Sequence, residues 1–123
     1  MTIPGIDLNL LANAGFPSTS VAPGEVIFAE GDKGDLMYVV RSGEVEIVRD
    51  GRVAETLQPG GIFGEMALID GSPRSATARA KTACELAPIN EKNFLFFLHE
   101  TPYFAIAVMR TLAERLRRSM PRG

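Results

Sequence analysis

The period of the apolar positions changes along the chain, and the changes divide it into three parts. Near the N-terminus, Leu8, Leu10 and Leu11 give one apolar side to a short segment that Asp7 can cap and Gly15 can end, which predicts a helix over 7–14. Pro17 and Ser18–Ser20 follow as a connector. From Val21 to Ile89 the apolar runs are short, and turn residues separate them at intervals of about 8–12 residues, the spacing of strands in a sandwich or barrel. Strands are predicted over Glu25–Ala29, over Leu36–Arg41 with Leu36, Tyr38 and Val40 on one face, and over Glu44–Arg49 with Val45 and Ile47 opposite Glu44 and Glu46. Asp50-Gly51 is a two-residue hairpin signal that returns the chain through Arg52–Leu57. After the loop Gln58-Pro59-Gly60-Gly61, two more strands are predicted around Thr77–Ala80 and Ala83–Ile89. Gly31, Gly34, Gly43 and Gly51 read as turn formers.

The period then becomes helical. Phe94, Phe97 and Leu98 share a face of Glu91–His99, which Asn90 precedes. Thr101-Pro102 opens a longer helix to about Arg118. In that helix Ala105, Val108, Leu112 and Leu116 form the predicted stripe. Arg110, Glu114, Arg117 and Arg118 lie opposite, with Glu114 and Arg118 paired across one turn. The order predicts a mainly β fold with flanking helices (α+β): a jelly-roll barrel over about 21–89, one N-terminal helix and two C-terminal helices over about 90–119.

Composition narrows the choice further. The chain has 123 residues, 46% hydrophobic and 23% charged, which is one globular domain spanning 1–123. One cysteine, Cys84, excludes an internal disulfide and a thiolate zinc cluster. One histidine, His99, excludes the clustered ligands of a cupin-type metal enzyme or a metal phosphodiesterase and leaves a serine nucleophile without a general base. No catalytic set survives, and no cofactor is expected. No apolar run approaches the ~18 residues of a membrane span. Met1–Leu8 lacks the basic and apolar regions of a signal peptide, so the expected setting is the cytoplasm. The net charge is −2, so nucleic acid is not an expected partner. The Arg-rich C-terminal end is the one basic patch, and it reads as a solvated helix end.

One stretch resists a plain β reading: Phe63-Gly64-Glu65-Met66-Ala67-Leu68-Ile69-Asp70-Gly71-Ser72-Pro73-Arg74-Ser75-Ala76-Thr77. Glu65–Ile69 is made of helix formers yet covers little more than one turn. Gly60, Gly61 and Gly64 precede it, and Gly64 lets a ligand approach the backbone. Arg74 brings a permanent forked cation suited to phosphate, and Ser75 and Ala76 add main-chain donors. Glu65 can accept from sugar hydroxyls. Such a loop suits a phosphorylated sugar or nucleotide. The plainer readings are a surface arginine after a turn and a helix-start carboxylate.

The run Phe-Gly-Glu-Met-Ala-Leu-Ile, followed by Pro-Arg-Ser-Ala-Thr, resembles the phosphate-binding cassette of cyclic-nucleotide-binding domains. That family includes bacterial catabolite activator proteins, regulatory subunits of cyclic-AMP-dependent kinase and cyclic-nucleotide-gated channels. Pro23-Gly24-Glu25, Glu30-Gly31-Asp32, Met37–Val40, Ser42–Val45 and Arg79–Thr82 extend the likeness over roughly Val21 to Ile89. The resemblance implies a ligand shell of Phe63, Gly64, Glu65, Met66, Ala67, Arg74, Ser75, Ala76 and Thr77. In that shell Arg74 would pair with the cyclic phosphate, Glu65 with the ribose 2′-hydroxyl, and Thr77 would place a hydroxyl near the base. It implies that the last helix closes over the base, with Met109, Leu112 and Leu116 as candidates for the lid.

The expected function is therefore a non-catalytic receptor for cyclic AMP or cyclic GMP, with cyclic AMP favoured, that acts on a protein partner in trans. The alternatives are an excised regulatory domain of a larger kinase, channel or transcription factor, and a barrel interaction module without ligand.

Overall fold

Asp50 and Gly51 both adopt positive φ, 54° and 73°. This is the type I′ geometry whose twist matches the flanking strands. The turn joins β4 (Val45–Arg49) to β5 (Arg52–Leu57) in antiparallel register, Arg49 opposite Arg52 and Val45 opposite Leu57. In this computed structural model, which describes residues 15–119, the hairpin continues into a four-stranded sheet of order β2-β7-β4-β5, with β2 at Val26–Phe28 and β7 at Thr77–Ala80. A second sheet has the order β1-β8-β3-β6. Its strands are β1 (Thr19–Val21), β3 (Leu36–Ser42), β6 (Ile62–Phe63) and β8 (Cys84–Asn90). The expected jelly roll is thus present as two facing sheets, and among the described residues no strand pairing closes them into a barrel. The helix expected over 7–14 lies outside the described residues.

The central sheet is buried on both faces. Val40, Phe63, Cys84 and Leu86 turn toward the other sheet, where they meet Val45, Leu57, Ala78 and Ala80 in one core, with Tyr38 and Ile47 packed against it. The alternate row, Met37, Val39, Ala87 and Ile89, faces a second core made with the C-terminal helices. Strand β3 therefore carries two apolar rows, where the sequence pattern marked only one.

Two helices close that second core: α2 (Glu91–Glu100) and α3 (Pro102–Ser119), while α1 (Met66–Ile69) is the single turn inside the cassette. Asn90 ends β8 in extended conformation, and its side chain accepts from the Asn93 amide at 2.9 Å, which caps α2. Asn90→Ala is expected to destabilise the protein by about 1 kcal/mol, read from the urea midpoint. An unchanged midpoint would mean that the cap contributes nothing.

Phe94 and Phe97 from α2 and Phe104, Ala107 and Val108 from α3 are the buried helix residues. The α3 seam is thus rotated by about a quarter turn from the predicted stripe. Ala105 is only half-buried and Leu116 is 58% exposed, while Leu112 packs at the edge of the core. Apolar residues occupy much of the α3 circumference, so periodicity alone leaves its phase open, and docking onto Met37, Val39, Ala87 and Ile89 selects Phe104.

Candidate functional site

Arg74 is only 7% exposed. Its main chain is held by the 31–32 turn: the Gly31 amide donates to the Arg74 carbonyl and the Arg74 amide to that of Asp32, both at 2.8 Å. Its guanidinium lies over the Phe28 ring, 4.0 Å from the centroid. Nη1 donates to the Gly64 carbonyl at 2.9 Å and Nη2 to the Leu36 carbonyl at 2.8 Å. Nε is buried and has no hydrogen-bond partner among the described residues. Burial pulls the guanidinium pKa below its ordinary value, and the nearby acidic groups of Tyr38, Asp35, Glu65 and Asp32 offset part of that pull.

Two glycines make this placement possible. A Cβ on Gly34 would overlap the guanidinium itself, and one on Gly64, which sits at φ 77°, would come 2.6 Å from Nη1. Gly34 is therefore more than the turn former that the sequence suggested: it is the floor under Arg74.

Glu65 is 3% exposed and stands at the start of α1. Its Oε1 accepts from Nη1 of Arg115 at 2.5 Å. Arg115 also donates from Nε to Glu55 at 3.1 Å and from Nη2 to the Ile62 carbonyl at 2.6 Å. Burial works against the Arg115 cation, but Glu65 and Glu55 outweigh it and raise its pKa above the ordinary value.

These groups share the wall of one cavity of about 670 Å³. Phe63, Gly64, Glu65, Met66, Ala67, Arg74, Ser75 and Ala76 all line it, as do Leu112 and Leu116. Thr77 and Met109 do not. The Thr77 hydroxyl instead accepts from the Glu30 amide at 3.0 Å, and Met109 is exposed. Phe28, Ile47 and Ala54 supply further apolar wall, and Arg49, Glu55, Arg115 and Arg118 further charge. The cavity thus offers a cation, a carboxylate and an apolar face together.

Arg115, like Glu55, is a site residue that the sequence reading missed, because the Arg-rich end read as solvated. A usable signal exists: Arg115 follows Phe104, Val108 and Thr111 by eleven, seven and four residues, so it lies on the buried face once the seam is placed on Phe104.

The cyclic nucleotide-binding domain model matches residues 18–101. The chain belongs to the cyclic nucleotide-binding domain family. It is 42% identical over 88 residues to a cAMP-dependent protein kinase regulatory subunit of Yarrowia lipolytica, a match covering 70% of this chain and 23% of the relative. Among solved structures, it superposes on the catabolite activator protein of Thermus thermophilus with a TM-score of 0.77 and 34% identity, covering 90% of this chain and 55% of that one. The EAL enzyme Bd1971 in its cAMP-bound form matches with a TM-score of 0.62 and 36% identity, over 84% of this chain and 29% of that one. The chain therefore spans about a quarter of the kinase subunit and about half of the catabolite activator. Within this cyclic nucleotide-binding domain, the buried Cys84 thiol is taken up by the Glu44 and Thr82 carbonyls, and the exposed His99 meets Glu100 at 3.3 Å. Among the described residues, no helix is long and apolar enough to cross a membrane.

Proposed function

We propose that this cyclic nucleotide-binding domain is a non-catalytic receptor for a 3′,5′-cyclic nucleotide, cyclic AMP in preference to cyclic GMP. Arg74 takes the cyclic phosphate, Glu65 the ribose 2′-hydroxyl, and the Gly64, Met66, Ser75 and Ala76 main chain the rest of the sugar-phosphate shell. Phe63 and Ala67 complete its walls. The observation that carries the reading is the Arg74 guanidinium: buried, with Nε unpartnered, in the wall of the cavity that also holds the buried Glu65. A buried donor left unpaired costs free energy, which an incoming anion recovers. The preference for cyclic AMP is supported by the likeness to the cAMP-dependent kinase subunit.

Binding alters the position of α3, where Leu112 and Leu116 at the cavity wall are the lid residues, and a protein partner reads the change. The longer relatives motivate a second reading, in which the output lies on the same polypeptide as the domain. A ligand biases α3 only by its difference in affinity for the two helix positions. A hundredfold difference is about 2.7 kcal/mol.

Calorimetric titration tests the proposal. Saturable binding of both nucleotides is expected, tighter for cyclic AMP. No binding of either at millimolar concentration overturns the proposed function. Glu65→Ala is expected to cost less affinity than loss of Arg74 and to shrink the preference for cyclic AMP over its 2′-deoxy analogue. If that preference stays intact in Glu65→Ala, the acid does not read the ribose.

A further inference from the structure

Strand β5 breaks the polarity rule of its own inner face. Leu57 stands opposite Val45 and Glu55 opposite Ile47, and paired residues share a face. Val45 and Leu57 are core and Ile47 packs against them, so Glu55 occupies a position in an apolar row. Its side chain is 18% exposed. A carboxylate in such a place is retained only where cations meet it. Two do, both from α3 and both at the same oxygen: Nε of Arg115 at 3.1 Å and Nη2 of Arg118 at 3.2 Å. Arg115 is divided in turn between three acceptors, Glu55 on β5, the Ile62 carbonyl on β6 and Glu65 in the cassette.

We propose that Glu55 is a positioning residue for the binding site: it fixes the orientation of Arg115 and, with Arg118, ties the C-terminal turns of α3 across the cavity. One guanidinium serves two carboxylates, both in the wall of the cavity. In the proposed function, which the second half of this inference rests on, a ribose hydroxyl draws on Glu65 and weakens its hold on Arg115. Glu55 keeps its own hold, so α3 stays seated over an occupied cavity. Neutralising Glu55 then leaves Arg115 with Glu65 as its one acidic partner, sets Arg118 loose from the strand, and lets bound nucleotide leave faster.

Hydrogen exchange of the α3 amides 112–119 in nucleotide-free protein tests the tether without reference to any ligand. Glu55→Gln is expected to raise exchange there at least tenfold and to leave the β3 and β8 amides unchanged. The Glu55→Gln, Arg118→Gln double variant is expected to match Glu55→Gln alone, because both substitutions break the same tie. At about 1 M NaCl the wild type is expected to move toward the variant. Unchanged α3 exchange in Glu55→Gln, or effects that simply add in the double variant, overturns the tether. Stopped-flow release of a fluorescent cyclic AMP analogue tests the consequence, with at least threefold faster release expected from Glu55→Gln. Equal release rates overturn the positioning role. A wild type that binds no nucleotide overturns the proposed function instead, and the exchange result still decides the tether.

Discussion

Arg74→Ala is expected to weaken cyclic-nucleotide binding at least tenfold. Losing one partner of a buried, hydrogen-bonded charge pair costs about 2–5 kcal/mol, and the low exposure of Arg74 places the proposed pair in that class. The side chain also serves the fold, because it satisfies the Gly64 and Leu36 carbonyls and covers the Phe28 ring. A drop in thermal midpoint is therefore expected alongside the loss of affinity, and the two must be measured separately. Arg74→Lys separates them further. It keeps the cation and the contact with Phe28 but loses the planar fork that reaches two carbonyls and still presents Nε. An intermediate affinity is expected from the lysine variant. Arg74→Ala protein that is folded and binds within twofold of wild type would remove the guanidinium from the site.

Phe104→Ala is expected to lower the folding free energy by about 3–5 kcal/mol, measured by urea denaturation. Phe104 is 1% exposed and sits at the junction of α2, α3 and the central sheet. Its ring meets Phe94 edge-on at 5.7 Å and Phe97 at 5.2 Å, so truncation opens a cavity that rigid neighbours cannot fill. Leu116 provides the contrast. It belongs to the stripe read from the sequence, yet its exposure predicts a change of less than about 1 kcal/mol on Leu116→Ala. A reversed order of the two effects would place the α3 seam on the wrong face.

Legibility in the sequence followed the strength of local signals. The β4–β5 hairpin was plain because Asp50-Gly51 encodes its own turn, and α2 because Asn90 caps it. Strands β1 and β6 were missed. Thr19–Val21 is three residues in a Ser/Thr stretch, and Ile62–Phe63 is two residues after glycines. Neither carries a periodicity, and each is a strand only because β8 or β3 lies alongside. At the site, the cassette residues were legible because they are contiguous or nearly so. Gly34, Glu55 and Arg115 were not, since each acquires its role from a partner 40 to 60 positions away: Arg74 over Gly34, and Arg115 reaching Glu55 and Glu65. The quarter-turn error in α3 is what concealed Arg115, since a helix placed in the wrong phase turns its inward arginine toward solvent.

The two-sided burial of the central sheet also governs how α3 can swing. Prying away its first half would hand Met37, Val39, Ala87 and Ile89 to water, at about 1.5–3 kcal/mol for each large side chain uncovered. Beyond Val108 the helix has no fully buried side chain, and its hold on the sheets is largely ionic. In the proposed function, the helix would work as a lever welded at one end, with its fulcrum near Val108. The arm that carries Leu112, Arg115 and Leu116 would be the part that lifts, once its ion pairs with Glu55 and Glu65 give way, and a small displacement at the cavity would become a larger one at the tip.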